Sequence, residues 1–301
     1  MGSPKNAPTT GPCLSPIEGS EVTKEYRTKM MDWMVEVCTS FKCSPRTYFL
    51  SCQIFDKYLT KIRQQGTILN NKDIHGIGVT SMYLASKYED IYPLHSKIVS
   101  EKIAHRAISA KDLLKKEESF LTLFNYEIDF VTHFDFHQTY ADKLTRQLTP
   151  GICANQHRLM KLVIEMGLIL VKMSIQNVEY CKWSPSIVVL ASMYAATAFL
   201  KHSKKYECTD TSNFCTEVRK LIFTMLSNEL TEQNTSFTEA GFLHRCESLP
   251  DFKASLVSYQ KQFTQETIEE VAMKLVDFLK VFDDWHCGLN QLKKFNRIPF
   301  E

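Results

Sequence analysis

Two apolar stretches of this 301-residue chain hold charged and aromatic side chains that could take part in chemistry. The first is Tyr26–Val37 (YRTKMMDWMVEV), where Asp32 and Trp33 stand among methionines and valines at helical spacing. The second is Met82–Pro93 (MYLASKYEDIYP), in which Lys87 ends an apolar run. A partly buried Asp needs hydrogen-bond donors or a cation, and a buried Trp N–H needs an acceptor. The stretches predict either ordinary amphipathic helices or helices whose charges recognise a partner.

The sequence gives little support for an enzyme. It contains no G-x-x-x-x-G-K-[ST], no H-E-x-x-H and no G-x-S-x-G pattern, and its nine histidines are dispersed. The ten cysteines form no C-x-x-C pair, and several lie inside predicted apolar helices. They are therefore expected to be reduced, buried thiols of an intracellular protein, without a disulfide framework or a zinc site. We expect no cofactor and no metal.

Charge and hydropathy argue against two further classes of protein, those that bind nucleic acid and those that span a membrane. The net charge of +2 gives no electrostatic footprint for nucleic acid, although the C-terminal segment Asn290–Glu301 is basic. The longest apolar run, Leu159–Met173, is interrupted by three charged residues and does not predict a membrane span. The N-terminal MGSPKNAPTT is polar and lacks the apolar core of a secretory signal. We expect an intracellular protein, in the nucleus, the cytoplasm or both.

The apolar spacing predicts five helices in the first half of the chain, after a disordered tail over residues 1–20. Ser44-Pro45 and Ser109 have the residue types that start helices. The third helix is apolar on nearly all sides, which indicates a central position. The predicted helices cover Val22–Phe41, a helix opened by Ser44-Pro45, a helix from Asn70 or Asn71 to Tyr88, Ser96–His105 and Ala110–Phe124.

The second half repeats this pattern. The segment Thr80–Leu84 (TSMYL) is echoed by Ala191–Ala195 (ASMYA), each on an apolar helix, which indicates two copies of one helical unit. We predict domains over residues 21–133 and 134–301, the second with a long insertion over about residues 203–255. The predicted elements are helices Phe136–Leu148, Asn155–Ser174, Ser186–Leu200, a short helix near Glu217–Leu226, and a last helix from Thr264 to about Phe282.

These stretches resemble the cyclin family, and within it the mitotic A/B type. Tyr26–Val37 is similar to the helix that opens the cyclin box, and Tyr83–Pro93 (YLASKYEDIYP) is similar to the end of its third helix. Glu117–Phe130 (EESFLTLFNYEIDF) resembles the fifth helix and the link to a second box. The resemblance is dense over about Val22–Gln147 and fainter over Lys182–Leu200 and Ile268–Arg297.

The resemblance implies an all-α protein of two tandem five-helix cyclin folds, with an N-terminal tail and an insertion in the second fold. It implies a regulatory subunit, not an enzyme, which binds and activates a cyclin-dependent Ser/Thr protein kinase in cell-cycle control. The third and fifth helices would press on the kinase αC helix, so that its Glu pairs with the β3 Lys. Such activation is a population shift toward the active kinase conformation.

The resemblance assigns kinase binding first to Lys87 and Glu117, which match a Lys and a Glu paired in the family. The alternative is that Lys87 only favours a helix C-terminus and Glu117 only a solvated first turn. Further contact candidates are Tyr88, Ile91, Phe120, Leu121 and Phe124, and about half of the last three are expected to be core.

The resemblance also implies a docking patch for Arg-x-Leu substrates or inhibitors. Tyr26, Met30 and Trp33 align with its apolar part, and Glu36 matches the acidic residue that receives the Arg. The chain departs from the family at Tyr26, where a Met is usual, and at His75, which stands where a Gln bonds the peptide.

Arg27 and Asp32 are expected by resemblance to form a buried ion pair that braces the first box. Breaking such a pair costs several kcal/mol, because one charge is left buried without a partner. The competing functional hypothesis is a divergent cyclin-box protein that acts in transcription, with a transcription kinase or DNA as its partner. A scaffold that binds no kinase is the other alternative.

Overall fold

The computed structural model describes residues 15–146, 154–201, 252–259 and 263–280. Within these ranges every regular element is a helix, and the predicted all-α class is confirmed. The chain divides into two compact units. The first comprises Met1–Thr132 and Ile175–Pro185, and the second comprises His133–Ser174 and Ser186–Glu301. None of the described helices is both long and apolar enough to cross a membrane.

The first unit begins with a turn that the sequence did not predict. Residues 1–14 of the predicted disordered tail lie outside the described residues, but Ser15–Ser20 is folded. Ile17 is buried there, and Arg63 donates a hydrogen bond of 3.1 Å to the Ser15 carbonyl. The helices that follow are α1 (Lys24–Ser40), α2 (Pro45–Gln64), α3 (Asp73–Glu89), α4 (Ser96–Ile98) and α5 (Ala110–Leu123).

The starts of α2 and α5 are the ones predicted from their capping residues. Ser44 Oγ accepts a hydrogen bond of 3.2 Å from the Thr47 N–H, and Pro45 follows as the first helical residue. Ser109 Oγ accepts one of 3.0 Å from the Asp112 N–H. Each bond satisfies a backbone donor that has no partner within its helix.

The start of α3 differs from the prediction. Its N-cap residue is Lys72, whose side chain makes no capping bond, and neither Asn70 nor Asn71 is the cap. Asn70 instead accepts a hydrogen bond of 2.9 Å from the Lys72 N–H through its side-chain oxygen, which forms an Asx turn before the helix.

The third helix is central to the first unit, as its all-round apolarity predicts. All residues from Ile77 to Ser86 are buried. Gly78 permits a close approach of α1, because a Cβ at that position would lie 2.3 Å from Sδ of Met30. The Met30 side chain therefore packs directly on the backbone of α3.

The predicted helix Ser96–His105 is interrupted. α4 has a single turn, and it continues as a π-helical turn over Val99–Ile103. The Ala104 N–H bonds the Val99 carbonyl at 2.7 Å, five residues back. His105 and Arg106 then have φ of 47° and 65°, the left-handed conformation that ends a helix.

In the second unit the described helices are α6 (His133–Arg146), α7 (Ala154–Gln176, whose last two residues belong to the first unit), α8 (Pro185–Lys201), α9 (Phe252–Ser258) and α10 (Gln265–Lys280). α8 is buried from Ser186 to Ala196, in agreement with its prediction as an apolar helix. Val271, Leu275 and Phe278 form the buried face of α10.

Part of the predicted second domain lies outside the described residues. Most of the 203–255 insertion and its predicted helix Glu217–Leu226 are in this part, as is Phe282. α9 begins inside the predicted insertion, at Phe252. The segment Ile175–Pro185, which the sequence prediction assigned to the second domain, groups with the first unit.

Candidate functional site

The candidate site of the first unit is built on an ion pair between α3 and α5. Lys87 Nζ lies 2.5 Å from Glu117 Oε1. Lys87 is in the last turn of α3, where a cation is favoured by the helix dipole. The hydrogen bond to Glu117 raises the pKa of Lys87, and the ammonium also lies 5.3 Å from the centre of the Tyr83 ring. The structure therefore brings the two predicted residues together.

The two partners differ in exposure. The Lys87 side chain is 44% exposed, whereas that of Glu117 is only 10% exposed. Glu117 lies in the second half of α5, so the alternative that it is a solvated first-turn residue is wrong. A buried carboxylate needs a cation or hydrogen-bond donors, and Lys87 supplies both. The Lys87 ammonium has three protons, so donors can still be directed outward.

Exposed apolar side chains surround this pair. Tyr88 and Ile91 are 52% and 89% exposed, and Leu121 is partly exposed one turn after Glu117. The sequence analysis missed Tyr92, which is 91% exposed, and Leu114, which is 47% exposed. Leu114 could have been predicted from the sequence, because positions 114, 117 and 121 have the spacing of one helix face. Exposed apolar residues at this density indicate an interaction surface.

Two of the predicted contact residues are core. Phe120 and Phe124 are 1% and 2% exposed. Phe120 stacks on Tyr58 of α2 with ring centres 3.8 Å apart, and Phe124 meets the Phe130 ring edge-on. They support α5 from inside, because their rings fill the space between α5 and α2. The expectation that part of this set is core is thus met by the two phenylalanines.

The carboxylate of Asp90 fixes the exposed loop that follows α3. Its Oδ1 accepts hydrogen bonds from the Ser44 N–H at 3.0 Å and from Thr47 Oγ1 at 2.6 Å. Its Oδ2 accepts one from Ser86 Oγ at 3.0 Å. Ser86 Oγ in turn accepts the Leu94 N–H at 2.8 Å. The loop is therefore held at both ends, and its exposed side chains have a defined backbone.

The predicted docking patch is only partly exposed. Tyr26 is 47% exposed, Glu36 is exposed, and Trp33 is partly buried against the His75 ring at 5.3 Å between ring centres. Burial, and then the charge of His105, lowers the pKa of His75.

Met30 is 7% exposed, because it packs on Gly78, so it is a core residue and not part of an open surface. The sequence analysis missed Lys29, an exposed residue whose ammonium lies 5.7 Å from the centre of the Tyr26 ring.

The predicted ion pair of Arg27 with Asp32 is wrong. Arg27 is fully buried, and its Nε and Nη2 donate to the two oxygens of Asp56 at 2.9 and 2.7 Å. Its Nη1 donates to the Ile175 carbonyl at 2.9 Å. A residue five positions along a helix points about 140° away from the first, so Asp32 faces another side of α1. Arg27 nevertheless braces the unit, by joining α1 to α2 and to the last turn of α7.

No cluster of His, Cys, Asp or Glu that could hold a metal ion occurs among the described residues. Cys38, Cys43 and Cys52 are buried free thiols. The hydrogen bond with Cys43, and then burial, raises the pKa of Cys38, whereas burial is the main cause that raises the pKa of Cys52.

A family model described as "Cyclin, N-terminal domain" matches residues 11–129. The match lies within the first unit. The chain is 27% identical over 201 residues to "G2/mitotic-specific cyclin-2" of Medicago sativa, covering 65% of this chain and 55% of the relative. It is 26% identical over 177 residues to "G2/mitotic-specific cyclin-B1" of Oryzias latipes, covering 59% and 39%. It is 29% identical over 178 residues to "Cyclin-A1" of Homo sapiens, covering 58% and 34%.

The predicted resemblance to A/B-type cyclins is confirmed by these relatives, of which the chain spans about half the length or less. Among solved structures, a viral cyclin from herpesvirus saimiri matches with a TM-score of 0.48 and 16% identity. That match covers 85% of this chain and 88% of the viral chain.

Proposed function

We propose that this protein is a regulatory subunit that binds and activates a cyclin-dependent Ser/Thr protein kinase in cell-cycle control, in the nucleus, the cytoplasm or both. The observation that carries the proposal is the Lys87–Glu117 pair, set at 2.5 Å among exposed apolar side chains. The names of the relatives, mitotic and A-type cyclins, support the same role.

The geometry suits a kinase helix as the ligand. Glu117 holds the Lys87 ammonium at the surface, where its other protons can bond carbonyl groups at the end of a docked helix. Tyr88, Ile91 and Leu121 supply the apolar contact on either side. The bound αC helix would then place its Glu against the β3 Lys. Complete activation requires binding the active conformation about 10⁴-fold more tightly than the inactive one.

We also infer that Tyr26, Trp33 and Glu36 form a docking patch for Arg-x-Leu segments of substrates or inhibitors. Two observations support this patch: Tyr26 is exposed, and Glu36 is exposed on α1, where its carboxylate could receive the Arg of a docked segment. An immobilised Arg-x-Leu peptide should retain the wild-type chain and lose the Glu36→Gln variant. Equal retention of both, or of neither, would contradict the proposed patch.

The test of kinase binding is a pull-down from cell extract, followed by a histone kinase assay of the bound fraction. The Lys87→Ala/Glu117→Ala variant should lose both the kinase and the activity. The matched control is Lys274→Ala/Glu270→Ala, which removes an ion pair of 2.6 Å from the exposed face of α10. The control should retain both.

The possible outcomes distinguish a loss of the kinase-binding site from a loss of the folded structure. Both variants are first compared with the wild type by thermal unfolding, because Glu117 is nearly buried. If the wild type retains no kinase, the regulatory proposal is wrong and a scaffold role replaces it. If the folded Lys87/Glu117 variant still binds and activates a kinase, the proposal stands but the assigned contact pair is wrong.

A further inference from the structure

Within the described part of the first unit, Oδ1 of Asp32 and both Oε1 and Nε2 of Gln176 are buried polar atoms that lie outside regular hydrogen-bond geometry. Gln176 is fully buried. Buried polar groups are almost always paired, because desolvation without a hydrogen bond costs free energy. A carboxyl group and a carboxamide whose buried atoms lie outside regular hydrogen-bond geometry therefore call for an explanation.

The two groups are neighbours. Thr28 and Asp32 are four residues apart and lie on one side of α1. Thr28 Oγ1 donates a hydrogen bond of 2.9 Å to the Gln176 carbonyl, which places Gln176 against this side of the helix. The Gln176 side chain acts on Asp32 as a hydrogen-bond donor and so opposes the rise in the pKa of the carboxyl group, although the three atoms lie outside regular hydrogen-bond geometry.

The surroundings of Asp32 disfavour its charge. The ionisable groups that face it are Glu36, one turn later on α1, and the Tyr48 hydroxyl on α2. No Lys, Arg or His of the described ranges lies within ion-pair distance of it. Burial, and then the charge of Glu36, raises the pKa of Asp32 to about 6, despite the opposing effect of Gln176.

We propose that Asp32 and Gln176 are a proton-binding carboxyl–carboxamide pair that fastens the segment Ile175–Lys182 to α1. When Asp32 holds the proton, its O–H donates to Gln176 Oε1, and the amide Nε2–H donates to the other carboxyl oxygen. These two bonds satisfy all three atoms at once. When Asp32 is ionised, Oε1 has no donor, because a carboxylate can only accept.

The proposed pair should hold the segment more strongly at acidic pH than at neutral pH. A carboxyl group with a raised pKa binds its proton more tightly in the folded state, so the fastening is strongest below the unfolded pKa near 4 and weakens as pH rises through about 6. Because Asp32 is partly exposed, we expect a change of about tenfold in the opening equilibrium, less than the full shift would give.

Hydrogen exchange followed by mass spectrometry tests this in the full chain. After correction for chemical exchange, the peptide covering Ile175–Lys182 should become about tenfold less protected between pH 5.0 and 7.5. The Asp32→Asn variant replaces the acid by an amide of the same shape, which makes two hydrogen bonds at every pH. Its peptide should stay protected across the range, while a peptide from the middle of α2 serves as the internal reference.

Glu36→Gln provides the second variant, because Glu36 is exposed and its loss leaves the core intact. Removing its negative charge should move the midpoint of the wild-type transition to lower pH. A segment equally protected at pH 5.0 and 7.5 in the wild type would overturn the proposal. So would an Asp32→Asn variant that keeps the pH dependence, or a midpoint that Glu36→Gln leaves in place.

Discussion

Replacing Arg27 by Ala should be one of the most destabilising single substitutions in the first unit. The guanidinium is fully buried and bonds both Asp56 oxygens and the Ile175 carbonyl. Removing one partner of a buried ion pair costs about 3–5 kcal/mol. Because the Asp56 side chain keeps 21% exposure, water can partly replace the lost cation, and we expect about 3 kcal/mol. At about 3 °C per kcal/mol, the unfolding midpoint should fall by about 10 °C.

The matched control is Lys24→Ala, one turn earlier on α1. Lys24 Nζ pairs with Glu179 Oε1 at 2.6 Å, so both cations connect α1 to the stretch Ile175–Lys182. The difference is exposure, since the Lys24 and Glu179 side chains are 54% and 46% exposed. Exposed pairs contribute about 0–1 kcal/mol, and the midpoint should change by no more than about 3 °C. Thermal unfolding followed by circular dichroism measures both variants against the wild type.

If the two substitutions lowered the midpoint equally, burial would not determine how much an ion pair contributes to the stability of the first unit. A second result would contradict the structural role of Arg27, namely an Arg27→Ala variant that loses kinase activation but keeps the wild-type midpoint. Arg27 would then act in recognition and not through the fold.

Two further predictions concern a close helix contact and a buried histidine. Gly78→Ala should destabilise the first unit by about 1 kcal/mol, because the new Cβ would lie 2.3 Å from Met30 Sδ, and the cost should vanish in a Met30→Ala background measured by denaturant unfolding. In the second unit, burial lowers the pKa of His137 to about 4, although its Nε2 bonds the Ile164 carbonyl at 2.8 Å. The stability it contributes is complete above the unfolded pKa near 6.5 and is lost as pH falls toward 4, by about 3 kcal/mol in all. Hydrogen exchange in α6 should therefore accelerate on acidification beyond its chemical rate, and unchanged protection at pH 4.5 would contradict the assignment.

Local signals in the sequence were sufficient for most of the helices in the first unit. Ser44-Pro45 and Ser109 start α2 and α5, because a capping hydroxyl acts on a backbone N–H three residues away, within the window that a sequence pattern covers. The all-round apolarity of α3 likewise gave its central position. The break in α4 was missed, because Ser100 stabilises the π-helical turn by donating to the Ile108 carbonyl at 2.7 Å, a contact that no periodicity encodes.

Contacts between residues that are far apart in the chain could not be predicted from the sequence. Asp56 is 29 residues from Arg27, on another helix, and Gln176 is 144 residues from Asp32. The incorrect pairing of Arg27 with Asp32 came from family resemblance. Helix geometry alone argued against it, since residues five apart do not share a face. The buried state of Phe120 and Phe124 also depended on Tyr58 and Phe130, which the fold brings to them.

The two buried titrating groups give the two units opposite responses to acid. Protonation of Asp32 below about pH 6 should stabilise the first unit, whereas protonation of His137 should destabilise the second. A single melting temperature sums these effects and can remain flat while both operate, because it does not distinguish the two compact units of the chain. Hydrogen-exchange rates measured for individual peptides distinguish the two effects. Between pH 7.5 and 5.0, protection should rise in Ile175–Lys182 and fall in α6, and a change of the same sign in both would contradict at least one of the two assignments.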